Sequence, residues 1–181
     1  YDLNPTKTKL KEIEVWLKTE YHSVRTGRAT PFLLDRVEVK SYGSKLPLKQ
    51  VAAVTIEDAR TLRITPWDKT QMKEVESAIT AENLGVSIAG DQTGIRVIFP
   101  ELTTESRARL VKVINTKFEE ARVSVRQLRD KVWSTVQESE RAGTVAEDDK
   151  FRTKDELQKI VDGSNAALEE IRAKKEVEIL N

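Results

Sequence analysis

The chain has 181 residues, of which 34% are charged and 38% are hydrophobic, and its formal net charge is +1. This near balance excludes a uniformly basic surface, so nucleic-acid binding would need a local cluster of Lys and Arg. The absence of cysteine excludes disulfide bonds and thiolate metal sites. No apolar run approaches the roughly 20 residues of a membrane span, and no signal-peptide pattern opens the sequence. We expect a cytoplasmic protein, or an organellar one if a leader preceded Tyr1.

The first predicted helix runs from Asn4 to about residue 26. Asn4 suits an N-cap and Pro5 suits the first helical position. The helix should end before Gly27 and Pro31, because glycine frees the backbone and proline disfavours helical geometry in the residue before it. Apolar residues at helical spacing give the helix one face that can pack against a partner: Leu10, Ile13, Leu17, Tyr21 and Val24.

Residues 32–100 change from a helical to an alternating pattern. Residues 36–42 alternate as a half-buried strand does, a turn follows at residues 42–45, and Pro47 confines the returning segment to a sheet edge. Asp68 starts a short helix that should face the sheet through Met72, Val75 and Ile79. The remaining predicted strands are residues 51–57, 61–65, 84–89 and 95–99. The segment is therefore predicted to be a small β/α/β domain.

The longest helical pattern spans residues 102–143, with Thr103 suited to the N-cap and Gly143 to the C-terminal stop. A third helix should begin at the capping box of Thr144, or alternatively at that of Thr153, and should run to about residue 180. Three long helices predict an antiparallel bundle, so the fold class is α+β. The long helix has apolar residues at heptad spacing: Val111, Ile114, Phe118, Ala121, Val125, Leu128 and Val132.

The sequence contains no recognisable catalytic constellation. His22 is the only histidine, and no Ser, Cys or carboxylate accompanies it in a triad pattern, so a helix-surface residue is the simpler interpretation. Residues 90–94 lack both phosphate-loop patterns and are typical of a hairpin turn. The acidic run at residues 147–149 is explained more simply by a helix N-terminus than by a cation. We therefore predict no enzyme, no cofactor and no metal site.

A stripe of arginines lies beside the heptad residues of the long helix. Arg122, Arg126 and Arg129 are four and three residues apart, which places them on one helix face. Two more lie nearer the start of this helix, Arg107 and Arg109. Such a stripe can follow a phosphate backbone. The alternative is a solvated face balanced by neighbouring glutamates, and the pattern alone favours that alternative.

Short motifs occur in a fixed order along nearly the whole chain. They lie at residues 25–31, 42–43, 47–48, 59–62, 66–68, 84–85, 95–97, 100–103, 125–126 with Arg129, 147–148, 158–159 and 175–176. Each motif is short, but the shared order and spacing are highly specific. On these motifs the sequence resembles the ribosome recycling factors.

The resemblance implies two domains joined by two hinges in an L-shaped molecule. A three-helix-bundle domain would comprise residues 1–27 and 103–181, and a β/α/β domain would comprise residues 31–100. Hinges at residues 27–31 and 100–103 would absorb rotation of one domain against the other. The hinge residues are Gly27, Thr30, Pro31, Pro100 and Leu102.

The resemblance also implies a non-catalytic translation factor that acts as a monomer without a membrane partner. It would bind the ribosome after termination and, with elongation factor G and its GTP hydrolysis, split the subunits to free them for initiation. The residues expected to contact large-subunit rRNA are Arg129, Arg126, Arg122, Arg107 and Arg28. Asp130 and Ser106 stand where the family usually has arginine, which predicts weaker RNA binding.

Three alternatives remain open from the sequence. One is a helical adaptor whose arginine stripe binds an acidic protein. Another is an enzyme that uses the carboxylates around Glu147. The third is a family variant that binds ribosomes without splitting them, for which Asp130 is the only indication.

Overall fold

A computed structural model describes all 181 residues and divides the chain into two compact units. We call Tyr1–Tyr21 with Val111–Val177 the helical unit, and His22–Leu110 with Glu178–Asn181 the mixed unit. The predicted hinges at residues 27–31 and 100–103 both lie inside the mixed unit, and the predicted domain limits stay a prediction.

Long helices lie at the two ends of the chain, and short strands lie in its middle. Two 3₁₀ turns, Pro31–Leu34 and Lys69–Gln71, precede β1 and α3 respectively. In chain order the elements are α1 (Asn4–His22), β1 (Glu38–Ser41), β2 (Ser44–Pro47), α2 (Leu48–Val51), β3 (Ala52–Asp58), β4 (Thr61–Pro66), α3 (Met72–Ala81), β5 (Ser87–Gly90), β6 (Ile95–Ile98), α4 (Thr104–Arg141) and α5 (Glu147–Leu180).

In the helical unit, α4 packs against both α1 and α5. Near its start α4 meets the end of α1, where the Tyr21 hydroxyl donates to the Ile114 carbonyl at 2.7 Å. The same part of α4 meets the end of α5, where the guanidinium of Arg172 lies 5.6 Å from the centre of the Phe118 ring. Near its end, Glu140 pairs with Lys150 at the start of α5 at 3.4 Å. Each pairing joins opposite ends, so α4 runs antiparallel to both neighbours, as predicted.

The heptad residues of α4 form its buried side. Five of the seven predicted positions are buried: Ile114, Phe118, Ala121, Val125 and Val132. Val111 and Leu128 are half-buried, and Val136 extends the buried row beyond the prediction. From α1 and α5 the buried apolar residues include Leu10, Leu17, Leu157, Val161 and Leu168. A helix with a buried row of this length is stabilised mainly by packing against neighbouring helices, since helical propensity alone contributes little.

In the mixed unit, four antiparallel strands form a sheet in the order β3-β4-β6-β5, and β1 and β2 pair in a separate hairpin. One sheet face carries Leu62, Ile64, Ile95 and Val97, which join Val75 and Ile79 of α3 in a buried cluster. The opposite face is polar, with ion pairs from Arg63 to Asp91 at 2.7 Å and from Arg96 to Glu57 at 2.8 Å. Alternation between the two faces is the pattern expected of an antiparallel sheet with one solvated side.

Several predicted element limits are wrong by a few residues. Helix α1 ends at His22 and not near residue 26. Strand β1 begins at Glu38 and not at residue 36, and β5 begins at Ser87 and not at residue 84. The tight hairpin turn is correct, since Tyr42 and Gly43 both have positive φ, 49° and 82°, as a two-residue turn between twisted strands requires.

The start of α5 is a further correction. Neither Thr144 nor Thr153 begins the helix, which starts at Glu147. The Thr144 hydroxyl and its N–H both donate to the Ser139 carbonyl at 2.9 Å, so Thr144 supplies hydrogen-bond donors to a carbonyl in the last turn of α4. Thr153 is buried inside α5. None of the helices combines the length and the apolar character needed to cross a membrane.

Candidate nucleic-acid interface

The arginine stripe (Arg122, Arg126 and Arg129) lies on α4 next to its buried row. Each arginine follows a heptad position by one residue, and a helix turns about 100° per residue, so the three side chains flank the core on one side. Arg122 and Arg126 are exposed, and Arg129 is half-buried. The whole stripe belongs to the helical unit. One continuous helix therefore holds three guanidinium groups along a single edge.

Arg129 is held by its neighbour in sequence. Its Nε and Nη2 atoms donate to the same carboxylate oxygen of Asp130, at 3.1 and 2.9 Å. The Arg129 side chain is 38% exposed and that of Asp130 is 63% exposed. One edge of the guanidinium is thus occupied by a carboxylate, and the other edge remains open.

The other two arginines differ in their partners. Arg122 pairs loosely with Glu119, with 3.4 Å between Nη1 and Oε1, and lies 5.7 Å from the centre of the Phe118 ring. Arg126 makes no hydrogen bond or ion pair in the described chain, so its five N–H donors are open to an incoming anion. Arg126 is therefore the most available member of the stripe.

Arg172 of α5 also lies near this region but is committed elsewhere. It donates to Glu169, one helical turn before it, and to Glu176, one turn after it, with 2.6 Å to the latter. The hydrogen bonds that Arg172 donates to Glu169 raise the pKa of the Arg172 guanidinium and lower the pKa of the Glu169 carboxyl. Because Arg172 already binds two carboxylates of its own helix, it is a poor candidate for an RNA contact.

The remaining arginines expected at the interface lie in the mixed unit. The side chain of Arg28 is exposed. Arg107 is half-buried, and its Nη1 donates to the Leu180 carbonyl at 2.9 Å. Its Nε is buried and has no hydrogen-bond acceptor. Arg109 donates to the Ser106 hydroxyl at 3.1 Å. The helical unit thus contains only Arg122, Arg126 and Arg129 of the predicted set.

The first predicted hinge segment and the residue just before the second are anchored to the same turn of the sheet. After Gly27, the Ala29 N–H donates to the Ala59 carbonyl at 2.7 Å, and the Phe99 N–H donates to the Arg60 carbonyl at 2.8 Å. Ala59 and Arg60 form the turn between β3 and β4. The guanidinium of Arg25, two residues before the first segment, also donates to the Pro100 carbonyl of the second segment.

The hinge residues differ in backbone form. Thr30 is extended, with φ −131° and ψ 152°, and Pro31 begins the 3₁₀ turn. Pro100 and Leu102 lie outside regular structure, just before α4.

His22 ends α1 and stacks on Phe32, with 4.3 Å between ring centres. No group of three or more His, Cys, Asp or Glu side chains is arranged to hold a metal ion.

Comparison with known proteins identifies the family. A family model described as ribosome recycling factor matches residues 17–180. The chain belongs to the ribosome recycling factor family. Among curated relatives, the ribosome-recycling factor of Desulforamulus reducens is 42% identical over 170 residues, which covers 94% of this chain and 91% of that protein. That of Leuconostoc citreum is 37% identical over 180 residues and covers 99% and 98%.

Solved structures of recycling factors share the fold. A solution structure of ribosome recycling factor aligns with a TM-score of 0.75 and 30% identity, covering 99% of this chain and 98% of that one. A second match covers 98% and 96%, with a TM-score of 0.65 and 33% identity. It comes from models of the T. thermophilus ribosome recycling factor and E. coli elongation factor G bound to the E. coli post-termination complex.

Asp130 and Ser106, which stand where the resemblance implies arginine, both make local hydrogen bonds in the structure. Asp130 holds Arg129, as described above. The Ser106 N–H donates to the Thr103 hydroxyl at 3.0 Å, which confirms Thr103 as the predicted N-cap of α4. The Ser106 hydroxyl accepts from Thr103 at 2.9 Å. Both side chains therefore bond within this chain.

Sequence reasoning missed two features, a cleft beside Arg129 and a hydrogen bond near the predicted hinges. Trp133 of α4 and Lys154 of α5 line the cleft, and the Lys154 ammonium lies 5.4 Å from the centre of a Trp133 ring. The basic character of Lys154 was visible, but its approach to Arg129 depends on the register of α4 against α5. Arg25 was visible only as part of a family motif, although it lies just before the first predicted hinge and donates to Pro100 of the second.

Proposed function

We propose that this chain binds large-subunit rRNA of the post-termination ribosome through the arginine stripe of α4. We further propose that, with elongation factor G and GTP, it splits the ribosome into subunits and so frees them for new initiation. The observation that carries the proposal is the stripe itself, a row of three arginines on the long helix, in which Arg122 and Arg126 are exposed and Arg126 has no internal partner. A relative in a complex with elongation factor G supports the choice of partner.

The physical basis of the binding would be phosphate neutralisation. Each arginine that contacts a phosphate releases condensed counterions, and binding then weakens by about 0.7 to 0.9 log units per contact for each tenfold rise in salt. Three contacts from the stripe would contribute a slope of about 2 to 3. Such contacts carry no base specificity, so shape and register on the ribosome would select the site. Arg28 and Arg107 are proposed as additional contacts of the mixed unit.

The splitting activity would require movement between domains. We retain the division into a bundle of residues 1–27 and 103–181 and a β/α/β domain of residues 31–100, with hinges at 27–31 and 100–103. The bond from Ala29 to Ala59 ties the first hinge segment to the turn between β3 and β4, and the bond from Phe99 to Arg60 ties the residue before the second segment to the same turn. A rotation at one segment would therefore displace this turn and with it the backbone next to the other segment.

The chain itself would perform no chemical step. GTP hydrolysis would belong to elongation factor G, and this chain would need no cofactor or metal. We propose that it acts as a monomer in the cytoplasm, with the ribosome and elongation factor G as its partners and no membrane attachment.

A second candidate is a family member that binds ribosomes without splitting them. The pairing of Arg129 with Asp130 favours this alternative, because it withdraws part of one predicted RNA contact. A helical adaptor for an acidic protein would use the same stripe but would not depend on rRNA.

The deciding experiment is a subunit-splitting assay with post-termination ribosomes, followed by light scattering, with and without elongation factor G and GTP. The proposal expects splitting only when this chain, elongation factor G and GTP are all present. Ribosome binding without splitting would support the second candidate. Absence of ribosome binding, together with capture of the stripe by an acidic protein, would support the adaptor.

A further inference from the structure

A small cleft opens between α4 and α5 beside Arg129. Its volume is about 120 Å³, and its walls are Arg129, Asp130 and Trp133 from α4 and Lys154, Leu157 and Gln158 from α5. A single water needs only about 15 Å³ of such space, so the cleft has room for a group of several atoms. Two cationic side chains on different helices thus line one concave site.

Lys154 reaches this cleft across a tryptophan. Its ammonium lies 5.4 Å from the centre of a Trp133 ring, and it makes no ion pair in the described chain. Contact with the aromatic face steadies a cation without neutralising it. The charge of Lys154 therefore remains available to an anion in the cleft.

Asp130 is placed where such an anion would bind Arg129. Both of its hydrogen bonds go to the edge formed by Nε and Nη2, an edge with two parallel donors of the kind that holds a phosphate. Since 63% of the Asp130 side chain is exposed, its carboxylate can turn into water without leaving a buried charge behind. Exposed ion pairs of this kind are weak.

We propose that this cleft is a binding site for one RNA phosphate, formed by Arg129 and Lys154, and that Asp130 occupies Arg129 until RNA displaces it. This inference rests on the proposed function, because it assigns Arg129 to RNA. The Asp130 carboxylate acts as a tethered competitor for the phosphate. An isolated anion competes poorly with it, whereas rRNA that also engages Arg126 brings enough further contacts to displace it. Asp130 therefore makes binding selective for an extended phosphate backbone.

The test is a set of variants in large-subunit binding at fixed salt. Asp130→Asn should tighten binding about two- to fivefold, the range that corresponds to the loss of a weak exposed ion pair. Lys154→Gln, which removes the charge but keeps a polar side chain, should weaken binding, and Lys154→Arg should recover part of the affinity. Asp155→Asn is the matched control, because Asp155 is exposed on α5 next to Lys154 and has no ion pair.

The double variant separates pairing from bulk charge. With Arg129→Ala already present, a further Asp130→Asn change should have no more effect than Asp155→Asn. If Asp130→Asn tightens binding equally with and without Arg129, the tethered competitor is rejected. If Lys154→Gln binds as wild type does, the two-cation site is rejected. In both cases loss of binding by Arg129→Ala alone would leave the proposed function standing, whereas wild-type binding by Arg129→Ala would reject the RNA contact as well. Thermal unfolding of each variant checks that the bundle is intact.

Discussion

The phenol of Tyr21 in α1 donates a 2.7 Å hydrogen bond to the backbone carbonyl of Ile114 in α4. Tyr21 is 3% exposed and Ile114 is 0% exposed, so the bond lies inside the bundle and fixes the position of one helix along the other. Burial raises the pKa of the Tyr21 phenol to about 12, with the negative charge of Glu169 adding to the shift and the positive charge of Arg172 opposing it.

This bond gives the first prediction. Tyr21→Phe should lower the free energy of unfolding by about 0.5 to 1.5 kcal/mol at neutral pH, the net contribution of one neutral hydrogen bond. The folded-state pKa of about 12 exceeds the reference value of 10.0, so the unfolded chain loses this proton first. The stabilisation is complete below pH 10 and falls as the pH rises from 10 toward 12.

The measurement is denaturant unfolding of wild type and Tyr21→Phe from about pH 8 to about pH 11. Wild-type stability should fall toward that of the variant at the alkaline end. Tyr1→Phe is the matched control, because Tyr1 is 48% exposed and its removal should change the free energy of unfolding by less than about 0.5 kcal/mol. A stability difference that stays constant over the series would contradict the buried-phenol explanation.

The second prediction concerns the core of the bundle at Phe118. Its side chain is 8% exposed, and two guanidinium groups, those of Arg122 and Arg172, lie 5.7 and 5.6 Å from its ring centre. Phe118→Ala should cost about 3 to 5 kcal/mol, because it leaves a cavity and removes both cation–π contacts. Val113→Ala, at a position 42% exposed on the same helix, should change stability by less than about 0.5 kcal/mol. Equal melting temperatures for the two variants would show that Phe118 is not a core residue.

The long helix could be predicted because its evidence is local and repeated. Phe118, Ala121 and Val125 each support the same heptad register, and Thr103 and Gly143 mark its ends independently. Helix α5 was harder to place, because Thr144 can cap a following helix or close a preceding one. Its hydroxyl bonds the Ser139 carbonyl and so closes α4. A choice between two local hydrogen bonds is decided by the geometry of the whole loop, and a short motif does not contain that information.

The surroundings of Arg129 could not be predicted in the same way. Adjacent residues on a helix do not face one another, so helical spacing gave no reason to pair Arg129 with Asp130. The pair forms because the arginine side chain is long enough to bring its Nε and Nη2 within hydrogen-bond distance of the adjacent carboxylate. The meeting of Trp133 with Lys154 depends on the register between α4 and α5. Periodicity predicts which face is buried but not which residues stand opposite each other.

The third prediction tests the proposed hinge at Gly27. Proline fixes φ and removes the backbone N–H, so Gly27→Pro should restrict backbone rotation at the first predicted hinge. Splitting by elongation factor G and GTP should fall more than ribosome binding does, while thermal unfolding keeps its cooperative transition. Gly27→Ala is the control, because a Cβ there would approach no atom closer than 3.9 Å and should leave splitting near the wild-type rate. A parallel fall in binding and splitting would remove the hinge as a separate functional element.

The last prediction compares the free and the paired arginine of the stripe. Arg126 has no internal partner and is exposed, so Arg126→Ala should change the free energy of unfolding by less than about 0.5 kcal/mol. Arg129→Ala should cost at most about 1 kcal/mol, the upper value for an exposed ion pair.

Each change should weaken large-subunit binding and lower the slope of log affinity against log salt by about one unit. The loss of affinity should be larger for Arg126→Ala, because Arg129 must first give up Asp130 to reach a phosphate. Lysine at either position should restore only part of the affinity, since it supplies a charge without the two parallel donors of arginine. The measurement is binding across a salt series for wild type and the four variants, with thermal unfolding of each. An unchanged salt slope in Arg126→Ala would show that the most available arginine of α4 does not touch phosphate, and the RNA-binding assignment of the stripe would fail with it.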